Sequence, residues 1–394
     1  MPKDFRVRRK NRTPFSYRTF RKPLIELLKS VPALKARGNR QLQLTFEDQL
    51  DALILFHLEE HDSGRELLQA LNQDDFARNE IAHGKEIKHS TFFESVNSRG
   101  LEQMLHIFNG LYARARQVLP DNHAALGDLV AIDGSLIDAV HSMDWADYIL
   151  SSNKAKIHLA LDLNRGIPRR IEISGGKSYE GDYLNALIEK GQTGVLDRGY
   201  QKYENFDRLQ AMGKHFVCRI QARTTKEIVS SNPIAPDGNI FYDSLCLLGQ
   251  PGFNQTEIPV RVVGYRVEEK DCWVATDRGD LSAEQIAEIY GLRWNIETFF
   301  GWWKQHLNVY PLIARTEYGF TIQILAGLIT YLLLAIYCHE QHGEKVSIKR
   351  VRELRHNIRN ENTMAAFSNP QTLKNRNRKA KQKRRNKKLT HAKT

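Results

Sequence analysis

The sequence predicts an α/β protein in which a helical N-terminal part precedes a mixed sheet with helices packed on it. Two observations lead to this prediction. Between residues 23 and 120, apolar residues recur at spacings of three and four, which is typical of helices that bury one face. After Pro120 the period changes, and short apolar strands alternate with helical segments, which is the order of an α/β sheet.

The segments after Pro120 define the predicted sheet. GDLVAIDGSLIDAV begins as an apolar strand, and a turn at Asn164-Arg165-Gly166 joins two further strands. GDYLNALIEKG predicts a helix that ends at Gly191, and TGVLDRGY contains another strand. Residues 222–276 are β-rich runs separated by Pro and Gly turns, which we interpret as a strand-rich insertion. Residues 281–307 predict one long helix capped by Ser282.

Composition excludes several classes of protein. With 41% hydrophobic and 26% charged residues among 394, the chain is neither wholly disordered nor collagen-like. The four cysteines lie far apart and form no CxxC pair, which argues against a disulfide scaffold or a zinc finger and favours a reducing cytoplasm. The N-terminus lacks the apolar stretch of a secretory signal.

The net charge of +12 is concentrated at the two ends of the chain. Residues 1–22 carry nine Lys or Arg and one Asp, and residues 374–394 carry eleven Lys or Arg and no acid. Since neither end has an apolar face, a nucleic-acid partner is favoured over a membrane. The alternative is that these ends serve only solubility.

One uncharged stretch, Tyr318–Cys338, is long enough to span a bilayer. Four polar side chains interrupt it: Thr321, Gln323, Thr330 and Tyr331. We therefore predict a helix buried in the protein core and no membrane partner.

Four residues of the long predicted helix share a stripe of about 60° on a helical wheel: Tyr290, Arg293, Glu297 and Lys304. Apolar residues occupy the opposite side, so one face packs into a core and the other presents a carboxylate beside two cations. An ordinary solvated face with ion pairs is the alternative interpretation.

Two further acids stand at the ends of predicted strands. Asp133 follows the apolar run LVAI, and Asp197 follows Val195-Leu196. Together with Glu297 they suggest a carboxylate set for two Mg²⁺ ions, although each aspartate alone is compatible with a cap or turn role. We interpret the other acids near the first strands as structural: Asp138, Asp144, Asp147 and Asp162.

The segments AIDGSLIDA, VLDRGY and YGLRWNIETFFGWWKQHL together resemble DDE transposases of the insertion-sequence-4 family. The signature of that family, Tyr-x2-Arg-x3-Glu-x6-Lys, is met in full by Tyr290, Arg293, Glu297 and Lys304. The resemblance covers roughly residues 125–340, including a β-rich insertion between the second and third acids.

The resemblance implies an RNase H-like catalytic core and Mg²⁺-dependent, cut-and-paste DNA transposition. It implies that Asp133, Asp197 and Glu297 are the catalytic, metal-binding acids, with Mn²⁺ as a substitute for Mg²⁺. It assigns Tyr290, Arg293 and Lys304 to the DNA backbone near the cleaved end. Trp294 borders this face, where it either stacks on an unpaired base or is a core or rim residue.

The implied partners are double-stranded DNA, as terminal inverted repeats and target DNA, and a second copy of the chain when two ends are joined. The implied location is the prokaryotic cytoplasm, at the nucleoid. The expected division of the chain is a basic arm (1–22), a helical DNA-binding domain (23–120), the first part of the RNase H-like core (125–221), the insertion (222–276), the second part of the core (277–345) and a basic tail (346–394).

Two other functions remain open from the sequence. One is a transposase-derived DNA-binding protein without catalysis, acting as a repressor or architectural factor. The intact acids argue against it. The other is a different two-metal nuclease or resolvase, which the complete four-residue signature disfavours.

Overall fold

The computed structural model describes residues 15–34, 42–140, 142–149 and 152–367. The basic segment 374–394 and the first fourteen residues of the basic arm lie outside these ranges. The helices are α1 (Phe15–Lys29), α2 (Phe46–Glu59), α3 (Gly64–Gln73), α4 (His89–Ser98), α5 (Leu101–Val118), α6 (Leu184–Leu187), α7 (Tyr203–Ala211), α8 (Ala283–Gly291), α9 (Trp294–His306), α10 (Glu317–His342) and α11 (Ile348–Phe367). The strands are β1 (Leu129–Ala139), β2 (Asp147–Ile149), β3 (Ser152–Asp162), β4 (Ile167–Gly175), β5 (Thr193–Leu196), β6 (His215–Arg219), β7 (Lys226–Ser231), β8 (Ile240–Gln250), β9 (Asn254–Gln255), β10 (Val260–Val267) and β11 (Lys270–Thr276).

All strands of the described residues join one mixed sheet, ordered β2-β3-β1-β5-β6-β11-β10-β8-β7, with β4 also paired to β3 and β9 to β8. The neighbours β1, β5 and β6 are parallel, whereas β3 and β11 run antiparallel to their neighbours in this central part. The predicted β-rich insertion therefore extends the central sheet. Its strand β11 pairs with β6 through Val274 and Arg219, which covers an edge that would otherwise expose unpaired backbone groups.

The sheet separates two hydrophobic cores. The larger core combines one face of the sheet, including Ala131 and Val195, with the N-terminal helices, α9 and α10. The smaller core lies on the other face, where Val130 and Leu196 meet α6 and α7. Successive strand residues point to opposite faces, so Asp133, two residues after Ala131, points to the face that α9 covers.

The prediction of a buried apolar helix is confirmed. Helix α10 is apolar on all sides because α1, α2, α4, α5 and strand β4 surround it. By length and composition it is the one described helix that could cross a membrane, yet 89% of its most apolar stretch is buried inside the protein. The N-terminal helices therefore share their core with a helix that lies near the other end of the chain.

The prediction of one helix over residues 281–307 was wrong, because the chain forms α8 and α9 with a turn between them. Ser282 caps α8 as predicted, through a bond to the backbone of Gln285. Gly291 ends α8, and glycine has the lowest helix propensity of any residue except proline. After it, backbone hydrogen bonds join residues three apart, as from the Asn295 N–H to the Leu292 carbonyl. Because of this turn, Tyr290 and the residues of α9 do not lie on one continuous helical wheel.

The predicted helix before Gly191 is also shorter than expected. A 3₁₀ turn at Glu180–Tyr183 leads into α6, which ends at Leu187. Ile188 adopts an extended backbone conformation and packs into the smaller core beside Gly194. Burial of this side chain competes with continuation of the helix.

Candidate active site

The first two predicted acids lie side by side where the parallel pairing of β1 with β5 ends. Asp197 directly follows β5, but the prediction that Asp133 stands at the end of its strand was wrong, because β1 stays paired with β3 as far as Ala139. Ile132 of β1 is paired with Leu196 of β5, and Asp133 and Asp197 are the residues that follow. Adjacent strands are about 4.8 Å apart, so the two side chains start from neighbouring positions. Each carboxylate accepts a hydrogen bond from the next backbone N–H, at 2.9 Å for Asp133 and 2.6 Å for Asp197. Neither forms an ion pair with a cationic side chain in the described part of the chain.

The third acid approaches from α9, which packs against β1. The Lys304 ammonium donates to the carbonyl oxygen of Leu136 at 2.9 Å and so links the helix to this strand. One turn after the start of α9, Glu297 accepts a 2.5 Å hydrogen bond from the Arg293 guanidinium. The structure thus brings Asp133, Asp197 and Glu297 into one region between β1, the end of β5 and α9.

Burial and neighbouring charges both act on the titratable groups of this region. Burial raises the pKa of Asp133 to about 6, and the negative charges of Glu180 and Glu297 act in the same direction. The Gly134 N–H and the Arg293 guanidinium oppose this increase. Burial also lowers the pKa of Lys304, while Asp133 and Asp138 oppose that decrease. Burial is thus the main cause of the raised pKa of Asp133, and the neighbouring carboxylates add to it.

In the ranges that the structure describes, no three acidic, histidine or cysteine side chains converge closely enough to hold a metal ion as they stand. Each acid is instead turned towards its own donor: Asp133 to Gly134, Asp197 to Arg198, and Glu297 to Arg293. Carboxylate oxygens are the ligands that Mg²⁺ prefers, so the donor chemistry suits this ion.

Tyr290, the last but one residue of α8, remains beside these groups despite the turn that follows it. Its buried hydroxyl has no hydrogen-bond partner among the described residues. Burial raises its pKa to about 12; the charge of Asp197 acts in the same direction and that of Arg293 against it. A buried hydroxyl between these two charges is available to a ligand that enters the site.

Trp294 lies on the outer side of the site, at the start of α9. Its side chain is 62% exposed, so it is not a core residue. The Arg293 guanidinium carbon lies 6.0 Å from the centre of its ring. An exposed indole beside an arginine provides a surface on which a planar group can stack.

Sequence reasoning missed one acid, Glu180, in the 3₁₀ turn after β4. A Cβ atom on Gly134 would lie 2.5 Å from its Oε1 atom, so its carboxylate rests directly on the backbone beside Asp133. The charge of Glu180 is the largest influence on the pKa of Asp133 after burial. The one sequence signal was Gly134 itself, because a glycine within a strand often marks a close approach.

The acids that we interpreted as structural have structural partners in three of four cases. Asp162 is buried and accepts a hydrogen bond from Tyr112, Asp147 accepts one from the Lys177 N–H, and Asp138 accepts one from Ser152. Asp144 is exposed.

Residues 125–333 match the protein family described as "Transposase DDE domain". This range is more than half of the chain and contains all seven predicted site residues. The chain belongs to this transposase family. It is 30% identical over 199 residues to the probable transposase for insertion sequence element IS5377 of Geobacillus stearothermophilus, over 49% of this chain and 52% of that protein. The match thus spans about half the length of this relative.

A second relative of this transposase-family chain is a protein of Synechocystis sp. named as a transposase for insertion sequence element IS4SA, with 25% identity over 69% of this chain and 78% of that protein. Among solved structures, a synaptic complex of the piggyBac transposase with hairpin DNA aligns with 90% of this chain and 82% of that chain. The TM-score of 0.47 and the identity of 12% are too low for a conclusion about this molecule.

Proposed function

We propose that this chain is a DNA transposase that cleaves DNA at the ends of an insertion sequence and joins the freed ends to target DNA by a cut-and-paste route. The observation that supports this most is the placement of Asp133 and Asp197. These two carboxylates have no cationic partner in the described residues and lie side by side where the parallel pairing of β1 with β5 ends, with Glu297 facing them from α9.

The proposal includes an RNase H-like core made of β4, β3, β1, β5 and β6. Strands β7–β11 are then an insertion that lengthens the same sheet, and α9 brings the third acid back to β1. We assign DNA recognition to the N-terminal helices within residues 23–120, in keeping with the sequence interpretation.

Asp133, Asp197 and Glu297 are the residues that would hold Mg²⁺, with Mn²⁺ as a substitute. When bound, a pair of such ions activates the attacking oxygen and stabilises the leaving oxygen of a phosphodiester. Burial, and after it the charges of Glu180 and Glu297, raises the pKa of Asp133, which fits a bound cation because a positive charge would stabilise the buried carboxylate.

Four other residues would position the DNA. Arg293 keeps Glu297 oriented and is placed to contact a phosphate, and Lys304 supplies a second cation beside β1. The buried Tyr290 hydroxyl would donate to a phosphate oxygen. The exposed Trp294 would stack on an unpaired base at the cleaved end.

The proposed partners are double-stranded DNA, as terminal repeats and target DNA, and a second copy of the chain when two ends are joined. We place the protein in the cytoplasm, at the nucleoid. Its two basic ends would supply affinity for DNA that does not depend on base sequence.

The test uses the full chain and a supercoiled plasmid that carries its reading frame with the flanking genomic DNA. We expect nicking and end cleavage with Mg²⁺ or Mn²⁺ and none with EDTA. Asp133→Asn should abolish cleavage, whereas Asp144→Asn, which removes an exposed acid outside the site, should not. A chain that binds the flanking DNA but never cuts it under these conditions would be a DNA-binding protein only.

A further inference from the structure

We propose that Glu180 is a fourth acid of this metal centre, where it supplies a carboxylate oxygen to the cation beside Asp133. The inference rests on the proposed function, since it concerns the ion that the proposed reaction needs. Glu180 belongs to none of the sequence segments that carry the resemblance, and it comes from the turn between β4 and α6.

The first argument is the shape of β1 next to Asp133. Gly134 lies within the strand and needs no unusual backbone conformation, so backbone freedom does not explain a glycine there. The space that its Cβ atom would occupy is filled by the Glu180 carboxylate, whose Oε1 and Cδ atoms would be 2.5 and 2.6 Å away. The missing side chain at Gly134 thus allows the Glu180 carboxylate to reach β1 at the residue after Asp133, from the face of the sheet opposite to α9.

The second argument is charge. The charges of Glu180 and Glu297 act on Asp133, which has no cationic side chain as a direct partner in the described ranges. Glu180 has one, the Lys156 ammonium at 3.3 Å, but that ammonium also donates to the Ser178 carbonyl. Four carboxylates, those of the three predicted acids and Glu180, thus share this region with three cations, Lys156, Arg293 and Lys304. A divalent cation between Asp133 and Glu180 would offset the excess of negative charge.

The third argument is an independent polar group, the hydroxyl of Tyr200. This side chain is 2% exposed, and its hydroxyl lies next to Glu180 yet forms no hydrogen bond of ordinary geometry with any described residue. Glu180, Asp133 and Asp197 all act on it electrostatically. A buried hydroxyl whose one nearby acceptor, Glu180, is poorly aligned is unfavourable, so its position among three acids points to a ligand or to water bound there.

These observations define two roles. Glu180 would be a metal ligand, and Tyr200 a positioning residue that acts by orienting the Glu180 carboxylate or a water molecule next to the ion. Lys156 would hold the turn in place when no ion is bound. The alternative is that Glu180 serves only this ion pair with Lys156.

The experiment measures metal binding without DNA and without activity. MnCl2 is titrated calorimetrically into the full-length protein and its variants. We expect Glu180→Gln to weaken Mn²⁺ affinity about tenfold or more. The matched control is Asp182→Asn, which removes an exposed acid from the same turn and should leave the affinity unchanged. Gly134→Ala should weaken binding as well, because its Cβ would displace the Glu180 carboxylate.

Lys156→Met separates the two interpretations. If Glu180 is a ligand, loss of the ammonium leaves Mn²⁺ affinity unchanged or tighter. If Lys156→Met weakens binding as much as Glu180→Gln does, Glu180 acts only through the ion pair and the inference is overturned. Melting temperatures of the metal-free proteins identify any variant that fails to fold. Tyr200→Phe, which keeps the ring and removes only the hydroxyl, is then titrated in place of that variant. It should weaken Mn²⁺ binding severalfold.

Asp133→Asn distinguishes failure of this inference from failure of the proposed function. If Asp133→Asn loses Mn²⁺ binding and Glu180→Gln binds within twofold of the unmodified protein, the triad stands and Glu180 is not a ligand. If Asp133→Asn also binds normally, the metal centre itself is misplaced, and the proposed function fails with it.

Discussion

The guanidinium of Arg293, the residue before α9, lies 2.5 Å from the carboxylate of Glu297 in the first turn of that helix, and only 13% of the arginine side chain is exposed. The guanidinium is thus largely shielded from solvent, although 34% of the Glu297 side chain is exposed, so the pair is screened less than a fully exposed pair of the same spacing. The charge of Arg293 also acts on Asp133 and on Asp197. One cation therefore influences all three acids of the proposed triad.

We predict that Arg293→Ala lowers the rate of DNA cleavage about a hundredfold and changes overall DNA affinity less than threefold. The reason is that Arg293 contacts few phosphates but fixes the orientation of Glu297, and a small misplacement of a reacting group is costly. Nicking and gel shift are measured on the same duplex. Lys304→Ala should behave alike, since its ammonium joins α9 to Leu136. Unchanged cleavage with a sharp loss of affinity would identify a general binding surface.

Trp294→Ala should leave the stability of the protein nearly unchanged, within about 0.5 kcal/mol, because the indole is mostly exposed. It should weaken binding to a duplex with an unpaired base at its end by about 1–3 kcal/mol, the value of one base–aromatic stack. Urea unfolding and binding to duplexes with and without the unpaired base check both statements. An equal loss on the two DNAs would contradict stacking.

The free energy of unfolding should decrease as the pH falls, because of His57, a residue of α2 that is buried against α10. Burial lowers its pKa to about 4, although its ring nitrogens face the carbonyl oxygens of Leu307 and Gln323 at 2.6 and 3.0 Å. The unfolded chain, with a pKa near 6.5, binds a proton that the folded state rejects. The contribution is fully present above about pH 6.5 and is lost as the pH falls towards 4, by about 3 kcal/mol at most.

The measurement is the free energy of unfolding in urea at pH 7 and pH 5. His57→Gln should flatten the difference between the two, whereas His356→Gln, an exposed residue of α11, should not. His158 is buried and its pKa is also lowered to about 4, so it contributes to the same slope. If His57→Gln leaves the difference in unfolding free energy between pH 7 and pH 5 unchanged, other groups cause the whole effect.

Truncation after Leu373 should weaken binding to random DNA and to terminal repeats by similar factors. The removed segment carries eleven Lys or Arg and no acid, and phosphate contacts give affinity without choice of sequence. For each phosphate that the shortened protein no longer neutralises, the slope of log K against log salt should become shallower by about 0.9. Salt titrations on both DNAs test this, and a selective loss on the repeat would make the segment a recognition element.

The sequence predicted the central acids because each part of that prediction depends on local pattern. Asp133 and Asp197 directly follow apolar runs that are long enough to be buried strands, and parallel pairing then places them side by side. The apolar side of the helix with Glu297 predicted its packing against the core. The residue positions came from spacing and strand order alone, whereas their assignment to metal and DNA remains a proposal.

Other features depend on contacts that local pattern does not contain. Glu180 is 46 residues from Gly134 in sequence, and only the fold shows that its carboxylate fills the space above this glycine. The pairing of β11 with β6 is also non-local, so the insertion could not be recognised as an extension of the central sheet. The turn between α8 and α9 was not predicted, because the apolar residues keep nearly the same spacing in the sequence when a helix is interrupted by only a fraction of a turn.

The central position of α10 has a consequence for synthesis of the protein. Helices α1, α2, α4 and α5 bury their apolar faces against a helix that begins about 200 residues after α5 ends. At the usual rate of translation, roughly 10–40 s pass before the ribosome has made that segment. The apolar surface that these helices later bury against α10 therefore stays exposed while the sheet is being made. Their final packing is delayed until α10 leaves the ribosome.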